Sequence, residues 1–250
     1  MDCSVIDIAS TQDCARLAQV LARVWGFTES SAVAPPDMLS ALAHSGAYVS
    51  GVVVDGKIIG GGCAWPAHVD GEWRLHSHVI GFLEGFRALG LGAQIKQHQR
   101  YFARERGMAA IQWTYDPLHA ANARFNLVKL GARVLSFHED LYGATQDTFG
   151  AGLGSDRFLV RWGVDDEPAA HDAAERKSIL RVGLAGEPVI HRTDARHLRA
   201  EIPPNIVSVR KGDHELAMAW RNAFAETVGC GVIGGAKVVG MADGAYLIDR

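Results

Sequence analysis

The stretch Arg87-Ala88-Leu89-Gly90-Leu91-Gly92 decides the interpretation of the fold. The apolar residues 79–83 before it predict a strand, and the pattern from Ala93 onward predicts a helix. The glycines therefore lie where a strand turns into a helix. The first N–H groups of a helix have no partner within it and lie at the positive end of its dipole. The stretch thus predicts a site for a phosphate or diphosphate. Glycine has no side chain that would keep the ligand away from the backbone, and Arg87 adds a positive charge.

Two other phosphate-binding loops do not fit this stretch. A dinucleotide-binding loop would have a third glycine where the chain has Ile95, and an acidic residue about 20 positions later. A Walker loop would need Gly-Lys-Ser/Thr, which is absent. An ordinary strand-to-helix turn, of the kind that any α/β protein contains, stays as the alternative.

Composition narrows the class of protein. The chain has 250 residues, of which 48% are hydrophobic and 21% charged, and this is typical of a globular protein with a sizeable core. The formal net charge of −3 and the lack of a basic run give no reason to expect nucleic acid as a partner. The four cysteines form no Cys-x-x-Cys pair, and no stretch approaches 18 apolar residues. We expect a cytoplasmic protein with no membrane partner.

Strands and helices alternate on both sides of the glycine stretch. The predicted order is β-α-α-β-β-β-α-β-α-β-β, with the glycine stretch between the fourth strand and the third helix. The strands are expected at 5–8, 47–54, 57–65, 73–83, 109–114, 132–142 and 156–162. The helices are expected from Thr11, as the cap of the first one, to Gly26, from Pro35 to Gly46, over 93–106, and from Asp116 to Leu130.

Turn and glycine signals add local detail to this order. Hairpin turns are predicted at Asp55-Gly56 and Asp70-Gly71. The three consecutive glycines at 60–62 suggest a bulge or close packing. In the C-terminal part we expect hairpins around Gly186 and across Asp243-Gly244, and a helix that Asp213 caps.

This order and the spacing Arg-x-x-Gly-x-Gly-Ala at 87–93 resemble the GNAT acyltransferase superfamily. The resemblance covers about residues 4–162. It implies an α/β (α+β) fold with a mixed, mostly antiparallel central sheet flanked by helices. The segments 113–118, 122–132 and 155–160 resemble an uncharacterised bacterial branch with an extended C-terminal region.

The resemblance and the composition together predict three parts of the chain. Residues 1–163 are expected to form a GNAT-like acyl-CoA-binding domain. Residues 164–178, rich in Asp, Glu and Ala, are expected to form a linker. Residues 179–250 are expected to form a smaller α/β extension, either a degenerate second lobe or a covering subdomain.

The resemblance implies transfer of an acetyl group, or a larger acyl group such as succinyl, from acyl-CoA to a primary amine. The acceptor would be a small metabolite or an amino acid, the co-substrate acetyl-CoA or another acyl-CoA, and the protein a homodimer without a metal. A non-catalytic CoA-binding or interaction module that keeps the fold is the alternative. The residues expected to bind the co-substrate are Phe82, Leu83, Arg87, Leu89, Gly90, Leu91, Gly92, Ala93, Asn122 and Asn126.

His76 and His78 are the candidates for the general base. They lie two apart on a strand and so share one face, together with Ile80 and Phe82. A neutral imidazole can take the proton of the amine, directly or through water. Glu84, after the strand, is of the residue type that the superfamily usually uses for this step. The alternative is that both histidines are packed core residues.

The general acid departs from the superfamily's pattern. A tyrosine in the fourth helix would align with Leu127. Tyr115 could replace it or could be only a packed ring. A thiolate can leave without a protein acid, yet the missing tyrosine favours the non-catalytic alternative.

Overall fold

The computed structural model describes residues 3–27, 33–86, 90–143, 152–167 and 174–250, which form a mixed α/β structure. The strands are β1 Cys3–Asp7, β2 Tyr48–Val54, β3 Lys57–Val69, β4 Glu72–Phe82, β5 Ala110–Tyr115, β6 Arg133–His138, β7 Arg157–Gly163, β8 Lys177–Val182, β9 Pro188–Ile190, β10 His197–Glu201, β11 Lys237–Ala242 and β12 Ala245–Asp249. The helices are α1 Thr11–Trp25, α2 Pro36–His44, α3 Leu91–Glu105, α4 Ala120–Ala123, α5 Ile206–Gly212, α6 His214–Phe224 and α7 Cys230–Ile233.

The chain divides into two compact units, Met1–Trp113 and Thr114–Arg250, and the division falls within β5. In the first unit the strands lie in the order β1-β2-β3-β4-β5. Neighbouring strands are antiparallel except β4 and β5, which are parallel. The expected mixed, mostly antiparallel sheet flanked by helices is confirmed.

Helices cover both faces of this sheet. On one face, the apolar sides of α1 and α2 pack against Val49, Cys63 and Val79 of the strands. On the other face, Leu91 and Ile95 of α3 pack against an apolar cluster from β2 and β3. The apolar residues of α1 recur at helical spacing, so the predicted helix buries one side against the sheet.

The two predicted hairpins of this unit form at Asp55-Gly56 and Asp70-Gly71. Both residues of each turn have positive φ, namely 47° and 77° in the first turn and 52° and 80° in the second. This is the backbone of a type I′ turn, which Asp-Gly tolerates and most other pairs do not.

Gly60, Gly61 and Gly62 of β3 form a seam between β2 and β4. A Cβ on Gly61 would overlap the carbonyl oxygen of Ser50, and one on Gly62 would overlap the carbonyl oxygen of Val79. The register between β2 and β3 also shifts near Gly60, as in a β-bulge. Close packing and a bulge were both expected from this triplet of glycines.

Side-chain hydrogen bonds and a glycine mark the ends of α1 and the start of α6. Ser10, and not Thr11 as the sequence suggested, caps α1, because its Oγ accepts a hydrogen bond from the Asp13 N–H at 3.1 Å. Gly26 ends α1 in the left-handed region with φ 77°, as predicted. Asp213 caps α6 as predicted, with Oδ1 accepting from the Leu216 N–H at 2.9 Å.

The second unit contains a β6–β7 antiparallel pair and a smaller sheet in the order β11-β12-β10-β8-β9. The closing β11–β12 hairpin and the β8–β9 hairpin lie close to their predicted positions. Two elements were missed, β10 and α5. β8 begins at Lys177, inside the stretch expected to be a linker, and residues 168–173 of that stretch lie outside the described residues. The three-part division of the chain stays a prediction.

A buried ion pair holds residues of the second unit together. Arg221 donates from Nη1 and Nη2 to the two carboxylate oxygens of Asp116 at 2.8 and 2.6 Å. Its Nε lies 4.0 Å from Asp156. The pKa of Asp116 is lowered, because the hydrogen bonds and the charge of Arg221 outweigh the effect of burial.

Replacing Arg221 with Met is expected to destabilise the protein by about 3–5 kcal/mol, because Asp116 would then be a buried charge without its partner. Thermal melting followed by circular dichroism measures the loss. The double variant Asp116→Asn, Arg221→Met should recover part of it. A single variant that melts like the wild type would show that the pair contributes nothing.

Gln99 of α3 is fully buried, and neither atom of its side-chain amide has a hydrogen-bond partner among the described residues. An unpaired buried amide costs about 1–3 kcal/mol on the scale of protein substitutions. Gln99→Met should therefore raise the melting temperature, by about 2–4 °C for each 1 kcal/mol gained in a chain of this size. Gln97→Met, at an exposed position of the same helix, is the control and should change it little. An unchanged or lower melting temperature for Gln99→Met would contradict the expectation.

Candidate active site

The parallel pairing of β4 and β5 stops early. It joins Arg74 to Ala110, Leu75 to Ile111 and His76 to Gln112, and no pairing follows. β4 continues to Phe82 and β5 to Tyr115, so beyond His76 and Gln112 the two strands no longer pair with each other, although β4 stays paired with β3. We call the opening between Ser77 and Trp113, the next residues on the two strands, the notch. Unpaired strand N–H and C=O groups in such an opening are available to a ligand.

A bulge in β4 lies at the notch. Ser77 pairs with Ala64 and Val79 pairs with Cys63, which leaves His78 as the extra residue. The bulge reverses the alternation of side chains along the strand. Val79 therefore packs on the α1–α2 face, whereas Ile80 and Phe82 pack on the α3 face.

His76 and His78 do share a face, as predicted. Both rings pack on Trp65 of β3, with centroid distances of 5.2 and 5.0 Å. Trp65 itself packs against the α1–α2 cluster, so this is the α1–α2 face. The expectation that Ile80 and Phe82 lie on the same face as the histidines is wrong, because the bulge at His78 turns the later residues over.

Burial makes both histidines weaker bases than a free imidazole. It lowers the pKa of His76 from 6.5 to about 4, with smaller contributions from His78 and the positive charge of Lys96. Burial also lowers the pKa of His78, although its side chain is exposed in part. Both imidazoles are therefore neutral at pH 7 and can accept a proton.

The N-terminus of α3 is open to a ligand. Gly90 has φ 74° and begins the helix without a side-chain cap. A Cβ on Gly90 would meet no heavy atom of the described residues within 4 Å. The first turn of α3 has no acidic residue, whereas the first turns of α1 and α2 carry Asp13 and Asp37. This helix end therefore keeps its positive partial charge available to an anion.

Two of the residues predicted at this loop, Arg87 and Leu89, lie outside the described residues. Leu91 is buried in the core cluster beside Ile95 and offers a ligand only its backbone. Gly92 and Ala93 are half-buried in the first turn. The backbone of residues 90–93 is therefore the part of the predicted loop that could hold a phosphate.

The predicted residues at the end of β4 have different surroundings. The side chain of Phe82 packs in the α3-side core. The N–H of Leu83 donates to the carbonyl of Ile59 at 2.9 Å, and its carbonyl accepts from the N–H of Phe86 at 3.2 Å. Glu84 is exposed after the strand. Their roles stay predictions.

The helix after β5 is shorter than expected. It consists of α4 and a π-helical segment, Arg124–Lys129. Asn122 is exposed, and Asn126 is buried in the π-helical segment. Leu127, at the position of the expected tyrosine, is also buried.

Tyr115, the other candidate for the general acid, has a packed ring. Its hydroxyl lies 3.3 Å from that of Tyr246, and it is buried. Burial raises its pKa well above 10. Among the described residues, therefore, neither Leu127 nor Tyr115 offers a ready proton donor.

Sequence reasoning missed Lys96. This residue of α3 is buried. Its Nζ lies 3.1 Å from Ser77 Oγ and 3.6 Å from the centre of the Trp113 ring. The signal was present, because Lys96 and Gln99 occupy positions next to Ile95 and Ala103 on the buried side of an amphipathic helix.

Residues 15–131 match the family model described as the acetyltransferase (GNAT) family. This segment is a GNAT acetyltransferase domain. It includes the notch and the N-terminus of α3, so both candidate features lie within the family's own domain. A search of curated proteins finds no significant match to the sequence.

Solved GNAT structures have a similar fold. The protein yncA from Salmonella typhimurium, in a structure with its cofactor acetyl-CoA, is 18% identical with a TM-score of 0.53, covering 70% of this chain and 100% of that one. A GNAT acetyltransferase from Streptococcus pneumoniae is 14% identical with a TM-score of 0.52, covering 65% and 99%. The ribosomal-protein-S18-alanine N-acetyltransferase from Escherichia coli is 14% identical with a TM-score of 0.50, covering 70% and 99%. At these identities the likeness concerns the fold alone.

Within the described residues, no group of three or more histidine, cysteine, aspartate or glutamate side chains is arranged to hold a metal ion. Every helix in that part of the chain falls short of the length and apolar character that a membrane span requires.

The His76 ring is expected to stay neutral well below its usual range, because its pKa of about 4 reflects burial. The unfolded chain would take up a proton below about pH 6.5, so the contribution of His76 to stability is lost as the pH falls from 6.5 towards 4. NMR titration of the imidazole signals, assigned with a His76→Gln variant, measures this directly. A His76 signal that titrates near pH 6.5 would contradict it.

Proposed function

We propose that this protein is an N-acyltransferase that moves an acetyl group, or a larger acyl group such as succinyl, from acyl-CoA to the primary amine of a small metabolite or amino acid. One observation carries the proposal. The notch lies along β4, and β4 is also the strand that leads to the uncapped N-terminus of α3. The first would receive a thioester and the second its diphosphate.

The N-terminus of α3 supports a diphosphate ligand for three reasons. The Ala93 N–H donates to the Gly90 carbonyl at 3.0 Å, which leaves the N–H groups of Leu91 and Gly92 for a ligand. Among the described residues no side chain caps this helix end, and none lies within 4 Å of a Cβ placed on Gly90. The family name and the acetyl-CoA bound to the structural neighbour yncA agree with a CoA ester as the donor.

The chemistry needs a base but little else from the protein. The amine nitrogen attacks the thioester carbonyl, a C–N bond forms, and the C–S bond breaks with its electron pair on sulfur. The proton lost from nitrogen would go to a neutral imidazole, His78 being the more exposed of the two candidates. An unpaired N–H of β4 in the notch would donate to the carbonyl oxygen as negative charge builds on it.

The alternative is a CoA-binding module without turnover. Buried Leu127 at the expected acid position and the engaged hydroxyl of Tyr115 favour it. Both hypotheses predict that the protein binds a CoA ester. Only the first predicts that the thioester is cleaved and free CoA is released.

The test combines binding and turnover. Acetyl-CoA at about 100 times its dissociation constant should stabilise the protein by roughly 2.7 kcal/mol and raise its melting temperature by about 5–10 °C. Release of free CoA is then measured with acetyl-CoA and succinyl-CoA against a panel of amines. Binding without release for any amine would favour the module, and no binding of any CoA ester would overturn the proposal.

The variant Ala93→Glu tests the diphosphate site. A carboxylate in the first turn of α3 is compatible with the helix and should not lower its stability, but it would repel a diphosphate. We expect the dissociation constant for acetyl-CoA to rise by at least about tenfold, which is 1.4 kcal/mol. Ala93→Gln has nearly the same size without the charge and should have a much smaller effect. Equal affinities for the two variants would show that the diphosphate binds elsewhere.

A further inference from the structure

Lys96 is a buried lysine that has no carboxylate partner among the described residues, and burial lowers the pKa of its amine. Its side chain extends from the middle of α3 to the sheet, and its Nζ contacts Ser77 Oγ and the face of the Trp113 ring. No carboxylate in the described ranges lies within 4.0 Å of this nitrogen. A lysine is seldom fully buried unless it is paired, because losing water disfavours its charged form.

The two contacts of Lys96 define where its charge acts. Ser77 and Trp113 are the first residues beyond the last β4–β5 pair, His76 and Gln112. The amine of Lys96 therefore lies between the two strands at the point where they separate, on the α3 side of the notch. A costly group at such a position has the placement expected of a functional residue.

We propose that Lys96 supplies the positive charge that stabilises the CoA thiolate when it leaves, in place of a proton donor from the fourth helix. This inference rests on the proposed function. The thiolate keeps the electron pair of the broken C–S bond, and the proton from the acceptor nitrogen goes to a neutral imidazole. Lys96 acts directly on the reacting sulfur by its charge, so its proposed role is catalytic, and its hydrogen bond to Ser77 Oγ holds the amine in place.

The thiolate fits this position better than the other charged groups of the reaction. Lys96 lies five residues into α3 from Leu91, about 8 Å along the helix axis, so the diphosphate at the N-terminus is too distant. A protonated amine acceptor would be repelled. The carbonyl oxyanion is negative only in the transition state, whereas the thiolate persists in the complex with free CoA and can be detected there.

The experiment measures the ionisation of bound CoA. A thiolate absorbs ultraviolet light in a region where a thiol does not, so a pH series of difference spectra gives the thiolate fraction. A cysteine thiol has a pKa of about 8.5 and is only a few per cent ionised at pH 7. Next to Lys96 the thiol should be mostly thiolate at pH 7, whether the lysine starts charged or takes the thiol's proton. His76 is the titratable neighbour on β4 whose pKa Lys96 affects, and with a pKa of about 4 it does not interfere.

Lys96→Met removes the charge and keeps the length of the side chain. We expect the ratio of thiolate to thiol in bound CoA at pH 7 to fall at least about tenfold, which corresponds to one pKa unit. The wild type should also bind CoA at least tenfold more tightly than a CoA analogue that lacks the sulfur, and this preference should disappear in the variant. Turnover should fall by lower kcat, with KM for acetyl-CoA nearly unchanged because the thioester is neutral.

Two controls separate charge from structure. Lys96→Met should melt at the same or a higher temperature than the wild type, since it removes a desolvated cation. Gln99→Met changes a buried polar residue one turn further along the same helix and should leave the thiolate fraction and the preference for CoA unchanged.

The outcomes are distinguishable. If the wild type binds CoA but the thiolate fraction and the preference for CoA are the same in Lys96→Met, the inference fails and the proposed function stands. If bound CoA in the wild type stays a thiol at pH 7, the inference also fails. If the wild type binds no CoA ester at all, the proposed function fails first.

Discussion

The short parallel contact between β4 and β5 determines what the rest of the first unit can do. Three residue pairs join the strands, and from Ser77 and Trp113 onward the two strands no longer pair with each other. A fully paired sheet would leave no backbone groups for a ligand, because its interior N–H and C=O groups would all be engaged. The long antiparallel contact of β4 with β3 holds β4 in place, so that β5 can separate from it without loss of the sheet.

The bulge at His78 and the polar residues of α3 act at the same point from opposite faces. The bulge keeps two imidazoles on Trp65, on the α1–α2 face. Lys96 and Ser77 meet on the α3 face. Both arrangements lower stability relative to regular, apolar alternatives, and local departures of this kind are typical of functional sites.

Much of the first unit could be predicted because its signals are local. The Asp-Gly turns, the glycines of β3, the order of the elements and the strand-to-helix loop depend on backbone chemistry that particular residues disclose. The bulge could not be predicted, since nothing in His76-Ser77-His78-Val79 specifies which residue the neighbouring strand will leave unpaired. The face assigned to Ile80 and Phe82 failed for that reason.

The errors in the second unit have related causes. β10 was missed because it is short: His197–Glu201 alternates polar and apolar residues over only five positions, and its place is fixed by partner strands on both sides. The helix after β5 was expected to be long because its pattern does not show a change to π-helical bonding. In the first unit, Lys96 was overlooked because a lysine in a helix is normally expected to face solvent. Burial of a charge is a property of the assembled structure.

The glycine seam of β3 has a consequence for how the sequence can vary. At Gly61 and Gly62 the neighbouring backbone occupies the volume that the smallest side chain would need. Chemical similarity is then irrelevant, and alanine is as poor a replacement as tryptophan. Sequence changes in this part of the sheet are therefore expected in the other strands. The seam should preserve the register of β4 on β3, and with it the position of the notch, while the surrounding residues change.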